Sequence, residues 1–262
     1  MLRWFVCANN QISSLDVSHN PLLQTFICPS NQLSALDVSD NTALKSLQCY
    51  DNQLTSIDVS NNTALEYLDC SQNQISSLDI SANSALTGVN CSENLLNTLD
   101  VSENQLLDTI VCDHNQLTEL DVSSNEALTI LVCNDNQITS LDVSDNTALV
   151  TFACQNNQLT ELDLSQNSAL KEFACFGNHL TALDVSNCAT FTVYIADTQN
   201  VQKSITYMNG KYYVVLQGPD YTGVRVSYTS SGTADDIGIY FDTLQEVPDS
   251  FIYTFDVGQV KQ

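Results

Sequence analysis

The stretch LEYLDCSQNQISSLDISANSA, residues 65–85, recurs in similar form every 21 residues along most of the chain. Its cysteine marks the period, and the equivalent positions are Cys7, Cys28, Cys49, Cys70, Cys91, Cys112, Cys133, Cys154 and Cys175. A fixed period of about 20–50 residues is the signature of a solenoid, in which each coil buries its apolar side chains against its neighbours. The sequence therefore predicts a stack of 21-residue coils over residues 1–198.

Each coil is predicted to contribute one short parallel strand. Leu68 and Cys70 alternate with Asp69, which is the period-two pattern of a half-buried strand. The strand pattern returns once more past Cys188, at residues 191–196, with Ala196 in the place of cysteine. The expected fold class is a β-rich solenoid of nine to ten coils with one parallel strand per coil.

The cysteine column and an asparagine column both point to structural roles. A buried amide where the chain leaves the strand can satisfy backbone groups of its own coil and the next one. We expect the cysteines to be buried thiols, because side chains of in-register strands point in parallel and strain a disulfide. Zinc is disfavoured because the sequence has no CxxC motif and no Cys/His cluster. The asparagine column comprises Asn10, Asn31, Asn52, Asn73, Asn94, Asn115, Asn136, Asn157 and Asn178.

An aspartate column leaves two explanations open. Stacked carboxylates repel, so either hydrogen bonds from neighbouring hydroxyl and backbone N–H groups or a ladder of calcium ions must compensate. Calcium sites usually need turns opened by glycine, and these aspartates lie beside Val or Ile. The hydrogen-bonded explanation is therefore favoured, and no metal site is predicted. The column comprises Asp16, Asp37, Asp58, Asp79, Asp100, Asp121, Asp142, Asp163 and Asp184.

The segment LxxLxCxxN, present in nine coils, resembles the highly conserved segment of leucine-rich repeats. The second half of each coil, LxxLDVSxN, repeats a similar motif. This nesting resembles the bacterial 21-residue class called IRREKO, which is common in surface proteins of Bacteroidetes-like bacteria. The resemblance implies a secreted or cell-surface location. Because the chain opens inside a repeat, we expect it to be a fragment whose export signal lies upstream.

Residues 199–262 differ in composition and are predicted to form a small antiparallel β domain or C-terminal cap. Seven of the ten tyrosines lie here. Residues 205–208, Asn209-Gly210 and residues 211–216 have the pattern of a type I′ hairpin. Further strands are expected at residues 224–228, 237–241 and 251–257, separated by turn residues.

The charge balance excludes several functions. The chain has 31 acidic against 7 basic residues, a formal net charge of −24. Nucleic acid is a poor partner because phosphate binding needs clustered Lys and Arg. Membrane insertion is not expected, since no apolar run approaches the roughly 18 residues of a span. No catalytic motif is present and the three histidines occupy different columns, so we predict neither an enzyme nor a cofactor.

Function is expected at outward strand positions, because they vary while the core columns hardly change. Tyr50, Tyr67 and Asp69 could stack on a sugar or receive a basic loop of a partner. Val111, Ile130 and Val132 form an apolar patch suited to protein contact. The alternative is that β-propensity alone explains these residues. The candidate ligand-binding residues are Trp4, Ile27, Tyr50, Tyr67, Asp69, Asn90, Val111, Asp113, Ile130, Val132 and Phe176.

Three functional hypotheses follow. The first is a non-enzymatic recognition or adhesion module of a bacterial surface or secreted protein, which binds a protein or glycan on the strand-lined face. The second is a rigid acidic spacer with no ligand of its own. The third and remotest is an ice- or surface-binding array built on the Ser/Thr column that includes Thr55 and Thr118. The open edge of the first strand also suggests end-to-end self-association.

Overall fold

The structure, a computed structural model, describes residues 2–180 and, beyond them, the backbone of six strands. Nine three-residue strands follow one another at 21-residue intervals and pair in parallel, in chain order, which confirms one strand per coil. They are β1 (Trp4–Val6), β2 (Thr25–Ile27), β3 (Ser46–Gln48), β4 (Tyr67–Asp69), β5 (Gly88–Asn90), β6 (Thr109–Val111), β7 (Ile130–Val132), β8 (Thr151–Ala153) and β9 (Glu172–Ala174).

The tenth strand, β10 (Phe191–Val193), extends this sheet in parallel but in a different register. A continued 21-residue period predicts that Val193 pairs with Glu172. The structure instead pairs Thr192 with Glu172, so the connection from β9 to β10 is one residue shorter. The prediction of a tenth strand is confirmed, and its predicted register is wrong.

The core is one continuous column of apolar side chains along the solenoid axis. The central residue of each strand from β2 to β9 is buried, as are the cysteines from Cys28 to Cys175. Leu54, Ile57 and Val59 show how the second half of each coil closes the other side of this core. Each fully buried aliphatic or aromatic side chain stabilises the fold by about 1.5–3 kcal/mol. The inward residues therefore contribute most of the favourable free energy of folding.

The predicted asparagine ladder is present and connects adjacent coils. Asn52 donates from Nδ2 to the carbonyls of Cys28, Cys49 and Tyr50, at 3.1, 3.1 and 3.2 Å. Its Oδ1 accepts the N–H of Leu33 at 3.0 Å. Two of these partners lie in the coil before, not in the coil after as predicted. The strands are only three residues long, so these amides serve the carbonyls and N–H groups just past the sheet.

A second asparagine ladder runs along the other half of the coils and was not predicted. Asn104, for example, donates from Nδ2 to the carbonyls of Ile80 and Asn83, at 3.0 and 2.9 Å. Its side chain is fully buried. This ladder therefore ties each coil to its predecessor by two further hydrogen bonds. Within residues 2–180 it comprises Asn41, Asn62, Asn83, Asn104, Asn125, Asn146 and Asn167.

From Asp16 to Asp163 the aspartate column is held by hydrogen bonds, as favoured from the sequence, and Asp184 lies outside the described residues. Oδ1 of Asp79 accepts both the N–H and the hydroxyl of Ser81, at 3.0 and 2.7 Å. Asp58 accepts the N–H of Ser60 in the same way. These bonds from Ser81, first that of its hydroxyl and then that of its N–H, lower the pKa of Asp79. The repulsion within the column is thus offset locally, coil by coil.

The cysteine ladder consists of free thiols, buried from Cys28 to Cys175 and partly exposed at Cys7. Burial raises the pKa of Cys91 and of Cys133 to about 12. The reactive thiolate is therefore disfavoured as well as inaccessible. Cys188 lies outside the described residues.

We expect that only Cys7 of these nine thiols reacts quickly with Ellman's reagent at neutral pH in the folded chain. A Cys188→Ser variant restricts the measurement to the described cysteines. After unfolding in denaturant, all nine thiols should react. Release of several equivalents from the folded protein would contradict the buried ladder.

The strands past residue 199 agree in part with the predicted antiparallel unit. β11 (Gln202–Met208) and β12 (Lys211–Gln217) pair antiparallel with Met208 opposite Lys211, which confirms the hairpin. The four-stranded sheet is completed by β13 (Thr233–Asp235) and β14 (Gly238–Phe241), in the order β11-β12-β14-β13. β15 (Tyr253–Phe255) pairs antiparallel with β10 of the solenoid sheet.

Two of the C-terminal predictions cannot be compared with this structure. The predicted strand at residues 224–228 and the turn Asn209-Gly210 lie outside the described residues. The domain boundary at residue 199 and the cap remain predictions. Among the residues described, no helix is long and apolar enough to cross a membrane.

Candidate functional site

The outward residues of β1 to β9 form two straight rows on one face of the sheet, because every strand pairs in register with the next. We call this surface the strand face. The first row runs Trp4, Thr25, Ser46, Tyr67, Gly88, Thr109, Ile130, Thr151, Glu172. The second runs Val6, Ile27, Gln48, Asp69, Asn90, Val111, Val132, Ala153, Ala174.

The structure brings most of the predicted site residues onto this face. Eight of them, from Trp4 to Val132, occupy the two rows, while Tyr50, Asp113 and Phe176 follow their strands by two residues. Trp4 is 67% exposed, whereas the others are partly buried, apart from Asp69. Trp4 and Ile27 lie at one end and Phe176 at the other, so the eleven residues do not form one compact site. Seven of the eleven form a polar cluster and an apolar patch, and Trp4, Ile27, Asp113 and Phe176 belong to neither.

The polar cluster is centred on Asp69 and includes Tyr50, Tyr67, Gly88 and Asn90. Asp69 was predicted to point outward, yet it is only 9% exposed. Tyr67 lies across Gly88, where a Cβ atom would be 3.0 Å from Cδ2 of the ring. Burial raises the pKa of Tyr67, and the nearby Asp69 and Tyr50 add to the shift. Tyr67 and Asp69 are both outward residues of β4, and Tyr50 follows the paired strand β3, so the three lie on one part of the strand face.

Asp69 and Asn90 occupy paired positions in β4 and β5 and make the same local hydrogen bonds. Oδ1 of Asp69 accepts the N–H and hydroxyl of Ser71 at 3.1 and 2.6 Å. Oδ1 of Asn90 accepts the same two groups of Ser92 at 3.1 and 2.8 Å. The turn after the strand is thus supported equally by a carboxylate and by an amide.

The apolar patch lies two coils further along the strand face. Val111 pairs with Val132, and Ile130 occupies the first row beside them. All three are partly buried, and Ala153 continues the second row with another small apolar side chain. The patch has the composition of a protein contact, although its individual side chains are ordinary strand residues.

A ridge of residues with left-handed backbone borders the strand face, and sequence analysis missed it. Each is the residue just before the first asparagine ladder, with φ between 51° at Glu93 and 68° at Gly177. Left-handed backbone is usually predicted from glycine, and eight of these nine residues are not glycine, so their identities did not indicate it. They are Asn9, Ser30, Asp51, Gln72, Glu93, His114, Asp135, Asn156 and Gly177.

The middle of this ridge carries the ion pairs of His114. Its Nδ1 lies 2.8 Å from Oδ2 of Asp113, and its Nε2 lies 3.5 Å from Oδ2 of Asp135. The hydrogen bond with Asp113 raises the pKa of His114, and the charges of Asp135 and Glu93 act in the same direction. The sequence placed the three histidines in different columns, and the structure adds that Glu93 and Asp135 share the ridge of His114. In residues 2–180, no group of three or more His, Cys, Asp or Glu side chains could hold a metal ion.

We expect an NMR titration to place the pKa of His114 above its ordinary value of 6.5. Because the folded value is raised, the stability that protonated His114 contributes is present below the unfolded pKa and is lost as pH rises through the folded pKa. Asp113→Asn should lower the pKa, since it removes the charge of the hydrogen-bonded partner. An unchanged pKa in that variant would contradict this assignment.

A cavity of about 250 Å³ lies away from the strand face and is lined by Leu15, Asp16, Ser18, Asp37 and Asp40. These residues belong to the aspartate column and its neighbours. Asp16 accepts the N–H of Ser18, as elsewhere in the column. The cavity therefore adds no new arrangement of functional groups.

Comparisons with known proteins agree with this architecture. Residues 42–84 match the family model for leucine-rich repeats in two copies. The functional domain of InlJ from Listeria monocytogenes, described as including a cysteine ladder, is 37% identical, with a TM-score of 0.62. The alignment covers 71% of this chain and 46% of that one. The buried column from Cys28 to Cys175 is the corresponding feature here.

More distant structures share the fold alone. Internalin InlF of Listeria monocytogenes is 22% identical, with a TM-score of 0.63 over 69% of this chain and 56% of that chain. The ectodomain of the Arabidopsis thaliana receptor kinase GASSHO1/SCHENGEN3, solved in complex with CASPARIAN STRIP INTEGRITY FACTOR 2, is 20% identical. Its TM-score is 0.63 over 68% of this chain and 24% of that chain. The chain spans about half the length of the two Listeria proteins. The comparison with curated proteins gave no match.

Proposed function

We propose that this leucine-rich repeat chain is a non-enzymatic recognition module that binds a protein ligand on its strand face. The observation that carries the proposal is the contrast between the two sides of each strand. Inward positions repeat almost unchanged, as the cysteine column shows, whereas outward positions range from Trp4 through Asp69 to Ala174. A scaffold with a constant core and a variable, regular face is suited to recognition.

The apolar patch supports a protein as the ligand. Val111, Ile130 and Val132 form a rigid surface on three-residue strands held by the sheet. Apolar side chains flanked by polar ones, here with Asp113 and His114 at the border, are the usual composition of a protein interface. The patch is therefore proposed as the first contact region, with the polar cluster as the second.

A bacterial surface or secreted protein is the proposed setting. Its support is the 37% identity to a Listeria domain and the shared cysteine ladder. We further propose the nested IRREKO class, since both halves of each coil carry the LxxL pattern and each half has its own asparagine ladder, as Asn52 and Asn62 illustrate.

A protein array tests this function. The full chain should bind at least one cell-surface protein, and the double variant Ile130→Glu/Val132→Glu should weaken binding by about tenfold or more, because it charges the apolar patch. Thr139→Glu/Thr160→Glu is the matched control. It adds the same charge at exposed positions in the second halves of coils, outside the strand face.

Two results would reject the proposal. An array without any ligand would favour the rigid acidic spacer. Equal binding by the two double variants would show that the contact lies elsewhere on the chain.

A further inference from the structure

We propose that the polar cluster around Asp69 binds an arginine side chain of the protein ligand. This inference rests on the proposed function, and it names the chemistry of one contact. The site consists of the Asp69 carboxylate, the rings of Tyr50 and Tyr67, and the amide of Asn90 in the next strand.

The turn that follows β4 does not need the negative charge of Asp69. Asn90 supports the same turn with the same two hydrogen bonds and carries no charge. Every other position of the second row is also neutral: Val6, Ile27, Gln48, Val111, Val132, Ala153 and Ala174. A buried carboxylate costs free energy that an amide does not. Its presence here therefore indicates a partner that uses the charge.

Within residues 2–180, no ion pair joins this carboxylate to a basic side chain. Of the charged side chains in residues 2–180, Asp69 alone is as little as 9% exposed. Both hydrogen bonds to its side chain come from Ser71 and go to Oδ1. Lys45, which precedes the neighbouring strand β3, pairs with Glu66 instead. Arg3 and Lys171 precede β1 and β9, three and five coils away from β4. A basic side chain of the bound protein would supply the opposite charge that Asp69 lacks.

The surroundings of Asp69 favour arginine over lysine. The ring of Tyr67 lies across Gly88, and Tyr67 shares the outward side of β4 with Asp69. Tyr50 follows β3, the strand that pairs with β4. A planar guanidinium can stack on an aromatic ring while it donates to a carboxylate. It is also more weakly hydrated than an ammonium, so desolvating it over a largely buried acid costs less. The net charge of −24 draws a basic partner to the surface.

The test measures binding of the peptide acetyl-Ala-Arg-Ala-amide to the full chain by NMR. The amide signals of residues 88–92 should shift, and acetyl-Ala-Lys-Ala-amide should bind several-fold more weakly. Asp69→Asn should weaken binding of the arginine peptide by about tenfold. It keeps an acceptor for Ser71, as Asn90 does for Ser92, so the fold is retained. Tyr67→Ala should also weaken binding, because it removes the ring.

Asp58→Asn is the control for net charge. Asp58 lies in the aspartate column, where its Oδ1 accepts the N–H of Ser60, and it is exposed away from the strand face. Because this variant removes the same charge, its affinity for the arginine peptide should stay within about twofold of the wild type. If Asp58→Asn weakened binding of the arginine peptide as much as Asp69→Asn does, only the overall charge would attract the peptide. That result would reject the arginine site.

Other outcomes would also overturn it. Unchanged affinity in Asp69→Asn, or equal binding of the lysine peptide, would remove the basis for an arginine site. A neutral oligosaccharide that shifts the same signals, with no loss in Asp69→Asn, would show a glycan site. The arginine test and the array test can fail separately. Peptide binding with an empty array supports the arginine site and rejects the proposed function. A protein ligand on the array without peptide binding supports the proposed function and rejects the arginine site.

Discussion

Replacing Asn115 with alanine is expected to lower the free energy of unfolding by about 3–5 kcal/mol, since several buried backbone groups lose their partners. Asn115 donates to the carbonyls of Cys91, Cys112 and Asp113 at 3.0, 3.1 and 3.2 Å. It also accepts the N–H of Leu96 at 2.9 Å. Water cannot easily replace these bonds, because the side chain is only 8% exposed.

Urea unfolding followed by circular dichroism measures this effect. Asn10→Ala is the matched control, because Asn10 occupies the same column in the first coil but is exposed. Its two hydrogen bonds, to the carbonyls of Cys7 and Ala8, stay within its own coil. We expect the control to cost about 1 kcal/mol or less, since water can solvate the freed groups. Equal losses in the two variants would contradict the role of the ladder between coils.

Replacing Leu131 with alanine is expected to cost about 2–5 kcal/mol, through lost burial and the cavity left behind. Leu131 is fully buried in the middle of β7. It pairs with Ile110 on one side and Phe152 on the other, so three successive coils meet at this point. The narrow coil has little freedom to collapse around the missing atoms, because its neighbours are fixed by the sheet.

Leu106→Ala provides the comparison for this second variant. Leu106 is 57% exposed, and its truncation should change the free energy of unfolding by less than about 0.5 kcal/mol. The same urea titration measures both. A Leu131→Ala variant as stable as Leu106→Ala would mean that the core is not continuous through β7.

Much of the fold could be predicted from the sequence, because every coil repeats the same environment. The period placed the nine strands correctly, and the alternation of Leu68, Asp69 and Cys70 identified the inward and outward sides. The structural use of the asparagine and aspartate columns also followed from the chemistry of amides and carboxylates at turns. The register of β10 was wrong, since the sequence departs from the repeat just before this strand, where Cys188 replaces the asparagine of the other coils.

The second asparagine ladder could have been found from the sequence. Asn62 and Asn83 recur as regularly as Asn52 and Asn73, and a regular polar column in a buried half-coil needs partners. The left-handed ridge could not, because it is occupied by residues as different as Gln72, His114 and Asp135. At such positions the turn imposes the backbone conformation on the side chain present.

The sequence by itself determined which positions are equivalent, which of them face the core and how the coils stack. Only the tertiary structure decided what lies beside each outward side chain, because those neighbours are 21 residues away and differ from coil to coil. Asp69 illustrates the physical reason: its identity marks an exposed charge, but the residues around it in β4 and the adjacent coils leave it 9% exposed. Burial of an outward residue depends on the size of its lateral neighbours, which the repeat period does not specify.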